Sequence, residues 1–328
     1  MDVCRIVAQY RDAYRITTLA GERNAVLAGR LRHQARRSTD LPAVGDFVYA
    51  RLPDDGNALI ESIVPRRTLF MRRAAGDRPA DQIIAANIDV VFVMLALDHD
   101  FNVRRVERYL AAVWESGATP VVLLNKADLC DDVDEKLEAL RSVAIGVDIL
   151  VVSALTAQGV DVLQHYLKEG VTAGFVGSSG VGKSTLLNRL LGRQAQTTNT
   201  VREHDSRGRH TTTHRELFVL PGGGSVIDTP GMREFQLSDD GAAIDAVFAD
   251  IEALAAQCRF ADCAHVSEPG CAVREHIDAD RLASYHKLLK EVHYEESRDD
   301  PSAAQERKRQ GRIGAKALKQ SLRTKMRP

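Results

Sequence analysis

The hydrophobic pattern divides the chain into an early part with short alternating stretches and a longer part in which strand-like and helix-like spacing alternate. In about the first 70 residues, apolar stretches are separated by tight-turn sequences, of which Asp54-Asp55-Gly56-Asn57 is the clearest. The expected strands include Tyr14–Thr18 and residues 26–31, 44–50 and 58–64. About five short strands in this length are typical of a small closed barrel of the oligonucleotide-binding (OB) type. A barrel with a purely structural role remains the alternative.

From about residue 88 onwards the hydrophobic pattern changes its period. Continuous apolar runs at residues 88–96, 120–124, 148–152 and 171–176 are typical of buried parallel strands. Helical spacing lies between or after them, at residues 102–116, 134–141 and 185–191. Strands that alternate with helices predict a doubly wound α/β sheet, in which ligands bind beyond the carboxyl ends of the strands. The polar segment 66–80 is expected to link this domain to the barrel.

A phosphate-binding P-loop of the form G-x-x-x-x-G-K-S joins the last of these strands to the helical spacing that follows. Its residues are Gly177, Ser178, Ser179, Gly180, Val181, Gly182, Lys183 and Ser184, with Thr185 next in the chain. Strand, glycine loop and helix in that order are the context the motif requires. Successive backbone N–H groups and the helix N-terminus then face a polyphosphate. We expect Lys183 between the terminal phosphates and the Ser184 hydroxyl on Mg²⁺.

Two further motifs follow the strands at 120–124 and 148–152 and indicate which base the nucleotide carries. The first has the form N-K-x-D and consists of Asn125-Lys126-Ala127-Asp128. The second is Ser153-Ala154-Leu155. The Asp128 carboxylate can accept hydrogen bonds from both guanine N1–H and the N2 amine, a match that adenine cannot make. We expect the Lys126 stem to cover the base, Asn125 to brace the loop, and a backbone N–H of the 153–155 segment to meet guanine O6.

Elements that could sense the terminal phosphate lie after the P-loop. Asp228-Thr229-Pro230-Gly231 has the D-x-x-G form, in which Asp228 would hold Mg²⁺ through water and the Gly231 N–H would meet the γ-phosphate. Between this motif and the P-loop, a run of three threonines offers a further Mg²⁺ ligand. We choose Thr212, with Thr211 as the alternative.

The order of these motifs is unusual for a GTPase. In most GTPases the P-loop precedes D-x-x-G and the guanine motifs come last, whereas here the two guanine motifs come first. This circular permutation, the G-R-H-T-T-T sequence, the preceding barrel and a late cysteine cluster together resemble the small-ribosomal-subunit biogenesis GTPases of bacteria, the RsgA or YjeQ family. The likeness covers nearly the whole chain. It implies a GTPase that the small subunit stimulates and that acts in late maturation of this subunit.

The resemblance also implies a catalytic role for the histidine that precedes the threonines, His210. Met232 follows Gly231, where many GTPases carry a glutamine that orients water, so we expect slow hydrolysis by the chain alone. The alternative for His210 is a solvated side chain on a switch loop. Lys183 and Gly231 complete the expected catalytic set.

The late cluster supplies three thiols and one imidazole, from Cys258, Cys263, His265 and Cys271. A tetrahedral zinc ion takes such a set, and four protein ligands indicate one structural Zn²⁺. The spacing departs from the common C-x2-C finger but matches the zinc pattern of the resembled family. Three buried cysteines in a reducing cytosol are the alternative, and His276 is a spare candidate ligand.

Composition and charge add the expected partners and location. The chain has 328 residues and a net charge of -1, but residues 1–80 carry 14 Arg, no Lys and 9 acids, and residues 307–328 carry 9 basic residues and no acid. We therefore expect both ends to meet a polyanion, here ribosomal RNA, with Arg30, Arg32, Arg36 and Arg37 at a strand end and the loop after it. No apolar run is long enough to cross a membrane and no signal peptide is seen, so we expect a cytoplasmic monomer.

These observations predict four regions. They are an OB-type barrel at 1–70, a permuted GTPase domain at 71–236, a mainly helical zinc-binding domain at 237–300 and a basic tail at 301–328. The predicted ligands are GTP or GDP with Mg²⁺, and the small ribosomal subunit with its RNA. An RNA-binding scaffold with a structural, rarely hydrolysed guanine nucleotide is the alternative function, and the guanine motif argues against an ATPase.

Overall fold

The chain divides into two compact units, Met1–Gln236 and Leu237–Pro328. A computed structural model describes residues 1–11, 13–73, 81–98, 100–194, 215–228 and 242–299. The predicted architecture of barrel, α/β domain and helical C-terminal part is confirmed within these residues. The basic tail at 301–328 lies outside them, and the four-region division remains a prediction.

The N-terminal part is a closed five-stranded barrel. Its strands are β1 (Asp2–Gln9), β2 (Tyr14–Thr18), β3 (Gly21–Leu27), β4 (Phe47–Arg51) and β5 (Ala58–Ile63). They pair in the order β1-β2-β3-β5-β4, and β4 pairs back onto β1 to close the cylinder. Alternating residues such as Ile6, Ile16, Val48 and Ile60 fill the interior and are fully buried, which is the inward side of a period-two pattern.

The strand predicted at residues 26–31 is wrong in its second half. The register of β3 with β5 ends at the Leu27–Ile60 pair, after which the chain turns into the helix α1 (Gly29–Gln34). Beyond this pair the backbone groups bond within the helix, and the Arg32 N–H donates to the Ala28 carbonyl. Arg30 and Arg32 are therefore exposed on a short helix, not on a strand end.

The α/β part is a sheet whose parallel strands carry the predicted motifs at their carboxyl ends. Its strands are β8 (Val90–Ala96), β9 (Thr119–Asn125), β10 (Asp148–Val151), β11 (Thr172–Gly177), β12 (Arg215–Val219) and β13 (Ser225–Asp228). They lie in the order β10-β9-β8-β11-β13-β12. The first five are parallel to one another, and β12 is antiparallel to β13. The helices α2 (Val103–Glu115), α3 (Val133–Arg141) and α4 (Lys183–Leu191) follow β8, β9 and β11.

A strand hairpin occupies part of the segment predicted as a linker. Strand β6 (Leu69–Arg73) pairs antiparallel with β7 (Asp81–Ala86), and Phe70, Ile83 and Ile84 are buried. The segment is polar overall, but Phe70 within it is buried, whereas Met71 is exposed. Paired strands therefore lie between the barrel and β8, where sequence analysis predicted a linker.

Barrel and α/β sheet are also joined directly. Strand β1 pairs with β12 at Ala8–Glu216 and Gln9–Arg215, so the barrel continues the sheet. The largely buried Arg5 side chain donates to the Thr172 hydroxyl at 2.7 Å, where the P-loop strand begins. Burial lowers the pKa of Arg5 to about 10, which leaves it charged at neutral pH.

A buried ion pair fixes the loop between α1 and β4. Asp46 has no exposed surface and binds Arg66 through two hydrogen bonds of 2.8 Å, from Nε to Oδ1 and from Nη2 to Oδ2. Arg66 also donates to the carbonyls of Thr39 and Leu41. Next to Asp46, Gly45 has a φ of 94°, and a side chain there would overlap the Ala86 carbonyl and lie 2.9 Å from Ile227. The loop therefore packs closely against the α/β part.

The second unit is built from helices α5 (Ala242–Val247), α6 (Ala249–Ala255), α7 (Ala272–His276) and α8 (Ala279–Asp299). Arg281 on α8 is buried and holds Asp250 of α6 through two hydrogen bonds of 2.7 and 2.8 Å. Its guanidinium also lies over the Phe248 ring, 4.8 Å from the centroid. The ion pair with Asp250 and the contact with the Phe248 ring thus hold α8 against α6.

A search of the helices in the described part of the chain finds none with the length and apolar character needed to cross a membrane.

We predict that Arg66→Met destabilises the first unit by about 3–5 kcal/mol, because it leaves the Asp46 carboxylate buried without its counter-ion. Urea unfolding measures the effect. Arg51→Met is the control, since Arg51 pairs with Glu61 from a side chain that is 65% exposed and should cost less than about 1 kcal/mol. Equal stability of the two variants would contradict a structural role for the Asp46–Arg66 pair.

Candidate nucleotide site and cysteine cluster

The P-loop connects β11 to α4 through backbone that only glycine adopts easily. Gly177, Gly180 and Gly182 have φ angles of 146°, 75° and 103°. A side chain at Gly177 would overlap the Met94 carbonyl, and one at Gly182 would overlap the Asn125 amide. The loop can therefore pack against β8 and β9 only because these positions lack a Cβ atom.

Lys183 begins α4 and bends back over the loop. Its ammonium donates to the Gly177 and Ser178 carbonyls at 2.7 and 2.6 Å. Ser184 and Thr185 follow in the first turn and are half-buried, whereas Ser179 and Gly180 are exposed on the loop. The result is a concave loop with a cation at its mouth and a helix N-terminus behind it, which is the arrangement that favours a polyphosphate.

Asn125 joins the P-loop to both guanine motifs. It lies at the end of β9 with 2% of its surface exposed. Its Nδ2 donates to the Val181 carbonyl of the P-loop at 2.7 Å, and its Oδ1 accepts the Ala154 N–H at 2.9 Å. One amide therefore brings together three segments that are far apart in the sequence.

Asp128 and Ser153 face each other across the same edge of the sheet. The Ser153 hydroxyl is fully buried, donates to Asp128 Oδ1 at 2.5 Å and accepts the Thr156 N–H at 3.1 Å. This contact fixes the orientation of the carboxylate while its second oxygen is not used in the bond. Leu155 next to it is exposed, and Arg189 of α4 donates to its carbonyl at 2.6 Å.

Lys126 has a φ of 65°, in the left-handed region that few non-glycine residues adopt. Its ammonium pairs with Asp98 Oδ2 at 2.7 Å, just beyond the end of β8. Sequence analysis did not single out Asp98, because nothing in the local pattern indicates a partner 28 positions away.

Asp228 ends β13, the strand next to β11, so it lies at the same edge of the sheet as the P-loop. Burial raises the pKa of its carboxyl group, and the positive charge of Lys183 opposes this rise. The carboxylate and the ammonium thus interact across the site.

Four predicted positions of the phosphate-sensing elements lie outside the described residues. They are Gly231, His210, Thr212 and its alternative Thr211, and the same holds for Met232. Their roles stay predictions.

A second contact that sequence analysis missed supports the P-loop from α2. Arg105 donates to the Ser178 hydroxyl and pairs with Asp100 at 2.7 Å. Burial tends to raise the pKa of Asp100, but hydrogen bonds from Arg105 and Ser178 outweigh it and lower the pKa. An arginine on an amphipathic helix carries no signal in sequence that would separate this role from a solvated one.

In the second unit, the four predicted metal ligands come together. The ligand atoms of Cys258, Cys263, His265 and Cys271 all lie within 4.8 Å of one another. His265 Nδ1 lies 3.4 Å from Cys271 Sγ and 3.7 Å from Cys258 Sγ. Ligands about 2.3 Å from a tetrahedral zinc ion are about 3.7 Å apart, so the cluster fits this metal. His276 is elsewhere, with Nδ1 on the Ala272 carbonyl.

The electrostatics of the cluster also suit a cation. Hydrogen bonding from the Val273 backbone lowers the pKa of the Cys258 thiol, whereas loss of solvent raises the pKa of Cys263 to about 11. Three thiolates at this separation repel one another, and a divalent cation is what would allow all of them to ionise.

Glu268 shapes the loop between His265 and Cys271 and was not foreseen from the sequence. Its carboxylate accepts the N–H groups of Ala264, Val266 and Ser267 at 2.9–3.1 Å. Hydrogen bonds from its own N–H and from these neighbours lower its pKa to about 2. This turn lets His265 adopt a φ of 57° and face the cysteines.

Comparison with known families gives one match over more than half of the chain. Residues 63–238 match the family model described as RsgA GTPase. A curated relative from Lactiplantibacillus plantarum, named small ribosomal subunit biogenesis GTPase RsgA 2, is 48% identical over 96% of this chain and 91% of its own length.

Solved structures with the same fold agree with this match. The crystal structure of YjeQ from Thermotoga maritima has a TM-score of 0.66 at 27% identity, covering 88% of this chain and 98% of that one. YloQ, described as a circularly permuted GTPase, has a TM-score of 0.61 at 22% identity and covers 89% of this chain and 95% of its own. The permuted order of the motifs is thus the order of a known fold.

We predict that Asn125→Ala weakens GDP binding by at least about tenfold, because it leaves the buried Val181 carbonyl and Ala154 N–H without their partner. Titration calorimetry measures the affinity. Asn24→Ala, at an exposed position of β3, is the control and should bind as the unmodified chain does. GDP affinity unchanged in a folded Asn125→Ala protein would show that the bridge does not hold the site together.

Proposed function

The chain belongs to the RsgA GTPase family, and from this we propose that it hydrolyses GTP in late assembly of the small ribosomal subunit, with the subunit stimulating hydrolysis. The observation that carries the proposal is the Asn125 bridge, which unites a guanine motif and a P-loop into one pocket edge. The names of the curated relatives supply the ribosomal partner.

Base recognition would rest on Asp128, held by Ser153. The carboxylate would accept the N1–H and N2 amine of guanine, and the Lys126 stem would cover one face of the ring. A backbone N–H of the 153–155 loop would donate to O6. Because adenine offers no matching donors, it would leave the Asp128 oxygens unpaired, which is how such a pocket discriminates.

Phosphate binding would rest on the backbone of residues 177–185. Phosphate oxygens would replace the Gly177 and Ser178 carbonyls as acceptors for the Lys183 ammonium. The Ser184 hydroxyl and the Asp228 carboxylate are hard oxygen donors that fit Mg²⁺, and Thr212 would join them. Mg²⁺ supplies charge neutralisation of the phosphates when bound.

Catalysis would need help beyond these groups. The Gly231 N–H would meet the γ-phosphate, and His210 is the nearest candidate to orient water, since Met232 cannot. GTP and Mg²⁺ would order the 209–213 and 228–232 segments. Docking on the subunit would position the catalytic water, and hydrolysis would then release the protein.

The ribosomal RNA would be held by basic groups. Arg30, Arg32, Arg36 and Arg37 are exposed together on α1 and the loop after it, and the sequence of the tail at 301–328 adds more. Binding through such groups is strongly salt-dependent. A monomer working in the cytoplasm, where ribosomal subunits assemble, completes the proposal.

The Cys₃His cluster would hold one structural Zn²⁺. Cys258, Cys263, His265 and Cys271 would close its shell and staple the loop between α6 and α7. A closed shell leaves no position for substrate, so its contribution is to the stability of the second unit.

We predict that purified small subunits raise GTP turnover strongly and that moderate salt weakens this stimulation, because the contacts that complete the site are to RNA phosphates. Steady-state phosphate release, measured with and without subunits at two salt concentrations, tests it. Lys183→Ala should abolish turnover in both conditions, since it removes the cation at the phosphate site while leaving the fold intact.

Slow turnover that subunits do not change would favour the RNA-binding scaffold with a rarely hydrolysed nucleotide. Normal turnover by Lys183→Ala would refute the assignment of the P-loop. ATP hydrolysed as well as GTP would refute the role of Asp128.

We also predict that Cys258→Ala loses zinc and lowers the melting temperature of the second unit, because a three-ligand shell binds the ion weakly and apo ligands repel. Elemental analysis and thermal unfolding measure both effects, and Cys130→Ala, outside the cluster, serves as the control. A full complement of zinc in the Cys258→Ala protein would contradict the Cys₃His assignment.

A further inference from the structure

Lys126 of the guanine motif forms an ion pair with Asp98, a residue that lies outside all the recognised motifs. Lys126 Nζ lies 2.7 Å from Asp98 Oδ2, and the two side chains are only 24% and 19% exposed. At this degree of burial the pair is screened less than a surface salt bridge. Asp98 follows β8, whereas Lys126 follows β9.

Hydrogen bonds that do not involve Lys126 fix the position of Asp98. Its Oδ1 accepts the Asp100 N–H at 2.9 Å, and its carbonyl accepts the Phe101 N–H at 3.2 Å. The preceding Leu97 N–H donates to the Asn125 carbonyl at 2.8 Å, which continues the β8–β9 register in which Ala96 faces Asn125. The second carboxylate oxygen is therefore presented to Lys126 by a turn that both strands anchor.

This anchoring reduces the entropy that Lys126 would lose when its side chain covers the guanine ring. A free lysine side chain rotates about four bonds and loses up to about 2 kcal/mol of rotamer entropy when it is fixed. An ammonium that is already held at its far end has lost this freedom before the nucleotide arrives. The left-handed backbone at Lys126, with a φ of 65°, shows that the fold already constrains this residue at its near end.

We propose that Asp98 is a positioning residue for guanine nucleotides, which acts by holding the Lys126 stem in the orientation that covers the base. The proposal rests on the proposed role of Asn125-Lys126-Ala127-Asp128 in binding guanine. Asp98 itself does not touch the base in this account. It organises the site in advance, so its contribution lies in affinity and not in the chemical step.

Removing the charge tests this directly. Asp98→Asn should weaken GDP binding about tenfold, the usual size of a lost charge-assisted hydrogen bond, with kcat at saturating GTP unchanged. Asp132→Asn is the matched control, because Asp132 follows the same motif but pairs with Lys136 on the surface, and GDP affinity should stay as it is. Asp98→Glu, which keeps the charge, should recover most of the affinity.

A second substitution separates positioning from general damage. Lys126→Met keeps an apolar stem but has no ammonium, so Asp98→Asn should cause no further loss of GDP affinity in that background. Inosine diphosphate lacks the N2 amine that Asp128 would bind. Asp98→Asn should weaken its binding by the same factor as it weakens GDP binding, because the Lys126 stem covers the ring face and makes no hydrogen bond to the ring edge. Damage that reached Asp128 would change the ratio of the two affinities.

The outcomes are distinct. Two results would overturn the positioning role without affecting the assignment of the guanine site. One is an equal loss of GDP affinity from Asp98→Asn with and without Lys126→Met, and the other is an unchanged GDP affinity in Asp98→Asn. Failure of the unmodified chain to bind GDP would overturn both this proposal and the proposed function. If Asp98→Asn does not fold, the GDP affinity of Asp98→Glu is the test. A tenfold weaker affinity in a folded Asp98→Glu protein, which keeps the negative charge, would count against the proposal.

Discussion

A single buried side chain, Asn125, holds the nucleotide site together. The base-binding and phosphate-binding motifs come from separate parts of the chain, and in this permuted order the base-binding part comes first. Their common boundary is the amide that donates to the Val181 carbonyl and accepts the Ala154 N–H. Gly182 must be glycine because any side chain there would displace this amide.

The same sheet also couples the site to the barrel. Arg5 of β1 binds Thr172, at the start of the P-loop strand, and Gly45 packs against Ile227, the residue before Asp228. The barrel thus braces β11, which leads into the P-loop, and β13, which ends at Asp228. If the barrel binds RNA as proposed, it and the nucleotide-binding edge share one sheet, which is a physical basis for one partner to influence the other.

The sequence was sufficient for the features that depend on local pattern. Apolar runs located the parallel strands, and the motifs at their ends located the site, because carboxyl ends of parallel strands share an edge. Sequence analysis did not predict the features that depend on partners from distant parts of the chain. The chain turns into α1 after the last β3–β5 pair, Leu27 with Ile60, and β12 is a strand because it pairs with β1 and β13. Asp98 gives no signal because its partner Lys126 follows a different strand.

The central claim is that these separated segments form one guanine-specific pocket. The most direct measurement is the affinity of the purified chain for GDP and for ADP under the same conditions, by titration calorimetry. Because only guanine satisfies both oxygens of Asp128, the account predicts GDP binding tighter than ADP by at least about 100-fold. Equal affinities for the two nucleotides would contradict it, since the pocket would then bind phosphates without reading the base.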